Sequence, residues 1–270
     1  MKKLILLFFF FAIAPISWSQ LGILEESKSI DFKEKIENWT IDNLGNLIVQ
    51  QGNTLVKIDT TGKQVFTQSI KSFGEISQIA TINSMKVVLF SEEQQCICLL
   101  DNTLTINGKC KYLEEFGLRN AKFIATSNRP NLIWIFDQFN STIFLVDIIT
   151  DKIIQKVENF AGLAGIKSEI TSMEEYNNKL YLQDATTIFE FDQMLSWSNS
   201  FTKQASSNAF WWNYIVGFDN NSLIYKSIAI NEIEKKELGF SDSYNQLKVN
   251  GNDFYFSGDK KITKFKLKTK

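Results

Sequence analysis

The chain has 270 residues, with 29 basic and 30 acidic side chains, 23 Phe, two Pro and no His. A protein without histidine cannot run a Ser-His-Asp triad, a Cys-His dyad or a His-ligated zinc site. Hydrophobic content of 44% with 22% charged residues is that of a globular chain, and a net charge of −1 gives no general pull towards nucleic acid.

The chain opens on Met1-Lys2-Lys3 and an apolar run from Leu4 to Ile16. That run is shorter than the roughly 20 residues a helix needs to cross a bilayer. Two lysines, a Phe-rich stretch, then Ser17-Trp18-Ser19 before Gln20 read as a secretory signal peptide cut after Ser19. Residues 1–19 are the expected leader and 20–270 a single domain. No Cys follows the apolar run, which argues against a lipid anchor, and no second long apolar segment is present in the mature chain. The expected location is the periplasm or the secreted, cell-surface space.

Strand-like segments then recur. Lys28 to Lys33 comes first and has no unit of its own. The first unit reads Trp39, Leu47 to Val49, Leu55 to Asp59 and Gln64 to Ile70. The second reads Ile79, Val87 to Phe90, Ile97 to Asp101 and Lys109 to Leu113. The third reads Phe123, Leu132 to Phe136, Ile143 to Asp147 and Lys152 to Val157. The fourth reads Thr171, Leu180 to Leu182, Ile188 to Asp192 and Leu195 to Phe201. The fifth reads Trp211, Tyr214 to Val216, Leu223 to Ile228 and Ile233 to Leu238. The sixth has Leu247, Phe254 to Phe256 and Ile262 to Leu267, with no fourth segment. β-Branched and aromatic residues fill the segments, and Asn, Gly and Asp fill the gaps.

The repeat is about 42 residues long, the signature of a radial array whose units cannot bury their faces alone. Six four-stranded units, the last completed by the N-terminal segment, predict an all-β, six-bladed β-propeller. The segments run five to seven residues, too short for an outer-membrane barrel, and a β-sandwich does not explain the regular units.

Asp42-Asn43-Leu44-Gly45-Asn46, followed by Leu47 to Val49, Asn53 to Asp59 and Gly62-Lys63, resembles one repeat of the NHL and TolB-like six-bladed propellers. The chain is also similar to small exported propellers of Bacteroidetes. The resemblance implies an envelope or secreted role and carries no chemistry with it.

Three cysteines, Cys96, Cys98 and Cys110, enter an oxidising compartment after export. Either Cys98 or Cys96 can face Cys110 across a hairpin, leaving one thiol over; three unbridged strand cysteines fit as well.

Candidate binding residues fall in two groups. Phe73, Phe116, Phe160 and Phe240 recur near glycines between units. With Arg119 nearby they either rim an aromatic binding surface or plug the seams between blades. Phe210-Trp211-Trp212-Asn213-Tyr214 is the densest aromatic run. Strand alternation predicts Trp211 and Trp212 on opposite faces, as core or as a stacking platform. Acidic loops at Glu92, Glu93, Asp137, Asp184, Asp219 and Asp259 either ring a cation or form turns. Asp59, Asp101, Asp147 and Asp192 read as strand-end caps. The alternating Lys264, Lys266, Lys268 and Lys270 read as edge protection or as a contact for an anionic partner.

No catalytic residue and no metal ligand set stands out, and no cofactor is predicted, with calcium possible. The leading expectation is a non-catalytic module that binds an envelope or extracellular protein. A calcium-dependent hydrolase or lyase with its site at the channel, and a small-molecule sensor or carrier, are the alternatives.

Overall fold

A strand that is apolar at every position has to be covered on both faces. The middle strands of each unit have this character, so each sheet must stand between two others. A computed structural model of the protein describes residues 22–230 and 232–268, and the expected leader, residues 1–19, lies outside them.

The sheets form six four-stranded antiparallel blades. β1 (Ile23–Asp31) opens the described chain. Blade 1 holds β2 (Asn38–Ile41), β3 (Leu47–Gln51), β4 (Thr54–Ile58) and β5 (Gln64–Ser69). Blade 2 holds β6 (Gln78–Asn83), β7 (Lys86–Ser91), β8 (Cys96–Leu100) and β9 (Lys111–Tyr112). Blade 3 holds β10 (Ala121–Thr126), β11 (Leu132–Asp137), β12 (Thr142–Asp147) and β13 (Lys152–Val157). Blade 4 holds β14 (Ser172–Tyr176), β15 (Lys179–Gln183), β16 (Thr187–Phe191) and β17 (Trp197–Thr202). Blade 5 holds β18 (Ser207–Trp211), β19 (Tyr214–Asp219), β20 (Ser222–Ser227) and β21 (Ile233–Glu237). Blade 6 holds β22 (Gln246–Asn250), β23 (Asp253–Ser257) and β24 (Lys261–Lys268).

Blade 6 takes its outer strand from the other end of the chain. β1 pairs antiparallel with β24, with Leu24 opposite Leu267 and Ile30 opposite Ile262. This is the predicted ring closure. β1 begins well before the expected Lys28, with a bulge between Glu26 and Lys28.

Six apolar clusters hold the ring, one at each seam between neighbouring blades. The side-chain period of two divides each middle strand between two seams. Val87 and Leu89 face blade 1 while Val88 and Phe90 face blade 3. Likewise Ile133 and Ile135 pack towards blade 2 while Trp134 and Phe136 pack towards blade 4. Each such side chain contributes roughly 1.5–3 kcal/mol through burial. The outer strands are largely exposed, and Lys152, Lys156, Lys235 and Lys236 sit on them, where charge discourages pairing with another chain.

Several local expectations change. The fourth segment of blade 2 shrinks to Lys111–Tyr112: Cys110, just before it, is bridged to Cys98, with Cα atoms 4.2 Å apart, and a helical turn begins at Leu113. Cys96 is the free, buried thiol. Thr171 lies one residue before β14, and Leu195 is a buried turn residue at φ +62° before β17. Two single helical turns, Leu113–Phe116 and α1 (Phe160–Ala164), interrupt the inter-blade links. They are too short to leave a helical period in the sequence.

The strand-ending aspartates are caps. Asp59 Oδ1 accepts the N–H groups of Thr61 and Lys63, both at 2.9 Å. Asp101, Asp147 and Asp192 do the same for their own turns. Asp42, in the Asp-x-x-Gly-Asn segment, accepts from Leu44 and Asn46 and lies 3.3 Å from Lys57, with both side chains buried. Gly45 turns at φ +86° between them. That segment is a buried turn with its own counter-charge. Lys264 and Lys268 pair with Asp253 and Glu25 on flanking strands. Lys270 lies outside the described residues.

Candidate binding face

Within each blade the chain moves outward through antiparallel strands. The turns between first and second strands, and between third and fourth, therefore share one end of the ring. The second-to-third turns and the inter-blade links share the other. The first end is called the turn face here and the second the link face.

On the turn face, the first turns of blades 4, 5 and 6 are only two residues long, which brings them close together. Tyr176 and Asn177, Trp211 to Asn213, and Asn250 to Asn252 surround a cleft of about 580 Å³, floored by Phe210 and Val249. Trp211 is anchored. Its ring stacks on Tyr214 at 5.7 Å and meets Phe254 at 5.9 Å. Tyr176 stacks on Phe210 at 5.3 Å, and burial raises its phenol above the usual range.

Trp212 behaves differently. It occupies the first turn position at φ +50° and is 64% exposed. A bulky residue in the left-handed region is uncommon, since turns of this kind favour Gly, Asn or Asp. The expected alternation fails because the strand ends at Trp211 and the backbone reverses at Trp212. Both indole Nε1 groups donate towards one acceptor, Asn252 Oδ1, at 3.4 Å.

The inner strands of all six blades enclose a central channel of about 560 Å³. Its lining is mostly Thr, Ser, Gln and small apolar residues. Glu174 on β14 is exposed to the solvent of the channel, with the inner strands crowded around its carboxylate. Loss of hydration in this confined space raises its carboxyl above the ordinary range, against the pull of Lys248. Lys248 on β22 lies 5.3 Å from the Trp39 ring centroid. Enclosure lowers its ammonium below the ordinary range, opposed by Glu174. Glu175, next along, accepts hydrogen bonds from the Asn128 N–H and the Trp134 indole.

The link-face aromatics are interior. Phe73, Phe116 and Phe160 are buried in the seams of blades 1–2, 2–3 and 3–4. Phe240 packs half-buried in the seam of blades 5–6, against Phe256 and Phe265. Phe73, Phe116 and Phe160 fill seams, while Phe240 also lines an open pocket with Leu24 and Tyr244; glycines such as Gly117, at φ +75°, turn the chain beside the links. Arg119 is exposed in the link between blades 2 and 3. It and the four Phe do not line the cleft that contains Trp211 and Trp212.

Several of the link-face carboxylates have partners of their own. Glu92 pairs with Lys122 at 2.7 Å. Asp137 is buried and accepts from the Asn140 N–H. Asp184 accepts from Thr186, Thr187 and Ser168. Among the described residues these groups do not gather into a three-ligand cluster.

Tyr176, Asn250 and Asn252 belong to the cleft but were not among the sequence candidates. Tyr176 and Asn250 end the inner strands of blades 4 and 6, the place Trp211 holds in blade 5, and Asn252 follows Asn250 by two residues. That register was available once the repeats were aligned.

No protein-family profile matches the chain, and no curated protein is significantly similar in sequence. The fold is shared with several solved structures. Virginiamycin B lyase from Staphylococcus aureus superposes with a TM-score of 0.63 at 12% identity, covering 89% of this chain and 99% of that one. A catalytically inactive histidine-to-alanine variant of that lyase, with quinupristin, gives 0.62 at 12% identity over 89% and 99%. The Neurospora crassa Pan2 WD40 domain gives 0.62 at 7% identity, covering 92% and 96%. At these identities the likeness is one of fold. The chain is a six-bladed β-propeller, an architecture used widely for protein interaction and scaffolding and also by a lyase. Among the described residues no helix is long and apolar enough to cross a membrane.

Proposed function

We propose that this protein is an exported, non-catalytic binding module that holds a cell-envelope partner on the turn face of blades 4 to 6. One observation carries the reading. Trp212 is 64% exposed beside the anchored Trp211, at a turn position where local chemistry favours a small polar residue. A residue that breaks the local rules and costs stability is expected where function needs it. Exposed, rigidly based aromatics supply much of the energy in recognition.

Export is supported by the leader-like segment at residues 1–19 and by the Cys98–Cys110 bridge, since disulfides persist in oxidising compartments. The turn built by Asp42 to Asn46 and the cap at Asp59 support kinship with NHL and TolB-like propellers, including small exported ones of Bacteroidetes. The lyase likeness does not bring that chemistry with it. The histidine whose replacement inactivates that enzyme has no counterpart in a chain without histidine.

The test is affinity capture of the tagged full chain from crosslinked cells of its source, beside W212N. The reading expects an envelope component that is enriched with the native chain and lost with W212N. Equal recovery with both, or no recovery with either, overturns it.

A further inference from the structure

The cleft on the turn face has an unusual chemistry for a chain in which 22% of residues are charged. None of its ten lining residues carries a charge. Its polar groups are the amides of Asn177, Asn213, Asn250 and Asn252, and its walls are the rings of Tyr176, Trp211 and Trp212. Phosphate-bearing polymers and anionic lipid surfaces are held by Lys and Arg, and none is present here.

We infer that this cleft binds a neutral saccharide, an inference that rests on the turn face being the binding face. A sugar ring has an apolar C–H face and a rim of hydroxyls. The face stacks on an indole, and the hydroxyls both donate and accept, as side-chain amides do. The volume of about 580 Å³ falls within the roughly 300–1,000 Å³ typical of small-ligand sites and suits a short oligosaccharide segment. The site is also prepared in advance. Trp211 is locked by Tyr214 and Phe254. Trp212 is steered by Asn252 at 3.4 Å while most of its ring stays open. Little ordering is left to oppose binding.

The saccharide can come from a free envelope polysaccharide or from glycans on a partner glycoprotein. The experiment uses the mature full chain with soluble cello-, manno-, xylo- and chito-oligosaccharides, and oligogalacturonate as the charged control, followed by calorimetry and tryptophan fluorescence. The expected result is binding of at least one neutral series with a shift in indole emission, and none of the control. W212N and N252A each weaken it tenfold or more, and W212F retains part of it. Thermal unfolding of each variant confirms the fold.

No binding by any neutral series, or equal binding by W212N, overturns the inference. A partner that is captured in a Trp212-dependent way, and is still captured after enzymatic removal of its glycans, also overturns it while leaving the binding face intact. Loss of capture on deglycosylation identifies a glycoprotein source. Binding by released envelope polysaccharide identifies the free polymer.

Discussion

Trp211 and Trp212 are neighbours in sequence and direct their indole N–H groups at the same acceptor, yet one is locked in the protein and the other is largely solvent-exposed. The difference comes from one backbone angle. Trp211 ends an extended strand, and Trp212 reverses the chain at φ +50°.

Replacing Trp212 with Asn should therefore separate stability from function. Asn tolerates the left-handed region, and a non-glycine residue held there costs of order 1–3 kcal/mol. W212N is expected to raise the unfolding free energy by about 1 kcal/mol in denaturant titration, while binding is lost. A fall in stability would show that the exposed ring packs more than it displays.

Asp42 and Lys57 form a buried pair, 3.3 Å apart. Removing one partner of such a pair leaves an uncompensated charge and costs about 3–5 kcal/mol. D42A also strips the turn of its acceptor for Leu44 and Asn46. Equilibrium denaturation should show a loss of that size. A loss under about 1 kcal/mol would mean that the turn and the ammonium find other partners.

The cysteines give a direct count. Cys98 and Cys110 are bridged and Cys96 is 2% exposed, its thiol held above the usual range by burial. A thiol reagent should label none in the native protein, one after denaturation and three after denaturation with reductant. Opening the bridge removes a constraint over a 12-residue separation, worth roughly 3 kcal/mol by chain-entropy arguments. One reactive thiol in the folded state would contradict the arrangement.

Acid stability has a sign that follows from the caps. Hydrogen bonds from Thr61 and Lys63 hold Asp59 below the ordinary carboxylate range, and the Thr103 hydroxyl leads the same effect at Asp101. Burial opposes it at Asp147, where the backbone N–H groups of Thr150 and Ile149 still bring the carboxyl down. A carboxylate with a depressed folded pKa contributes stability that is complete above its unfolded value, near 3.9, and is lost as pH falls through the folded one. Glu174 runs the other way. Its folded pKa is raised, so its contribution is complete below about 4.3 and is lost as pH rises through the folded value. E174Q should thus be more stable than the native chain at pH 7, with the gap closing towards pH 4. A gap constant with pH would show that Glu174 is solvated like a surface group.

The blade cores were readable because burial on both faces writes uninterrupted apolar runs, as in Val87 to Phe90 and Ile143 to Val146. The terminal Asp of four units was readable because the turn needs an acceptor there. The Phe of the links allowed two readings, since a plug and a rim use the same residue; only the packing of Phe73 against both Ile48 and Leu89 decides between them. The cleft was half legible. The aromatic run announced itself, but a single left-handed residue set which way Trp212 turned. Asn252, from the next blade, reaches the site only through the ring's curvature.

Photo-crosslinking in living cells, from two positions at opposite ends of the ring, locates the recognition surface. A photoreactive residue at Asn213 sits beside Trp212, and one at Glu93 sits on the exposed link face. Recognition on the turn face should give a discrete adduct with an envelope component from position 213 and none from 93. An adduct confined to position 93 would place recognition on the link face instead.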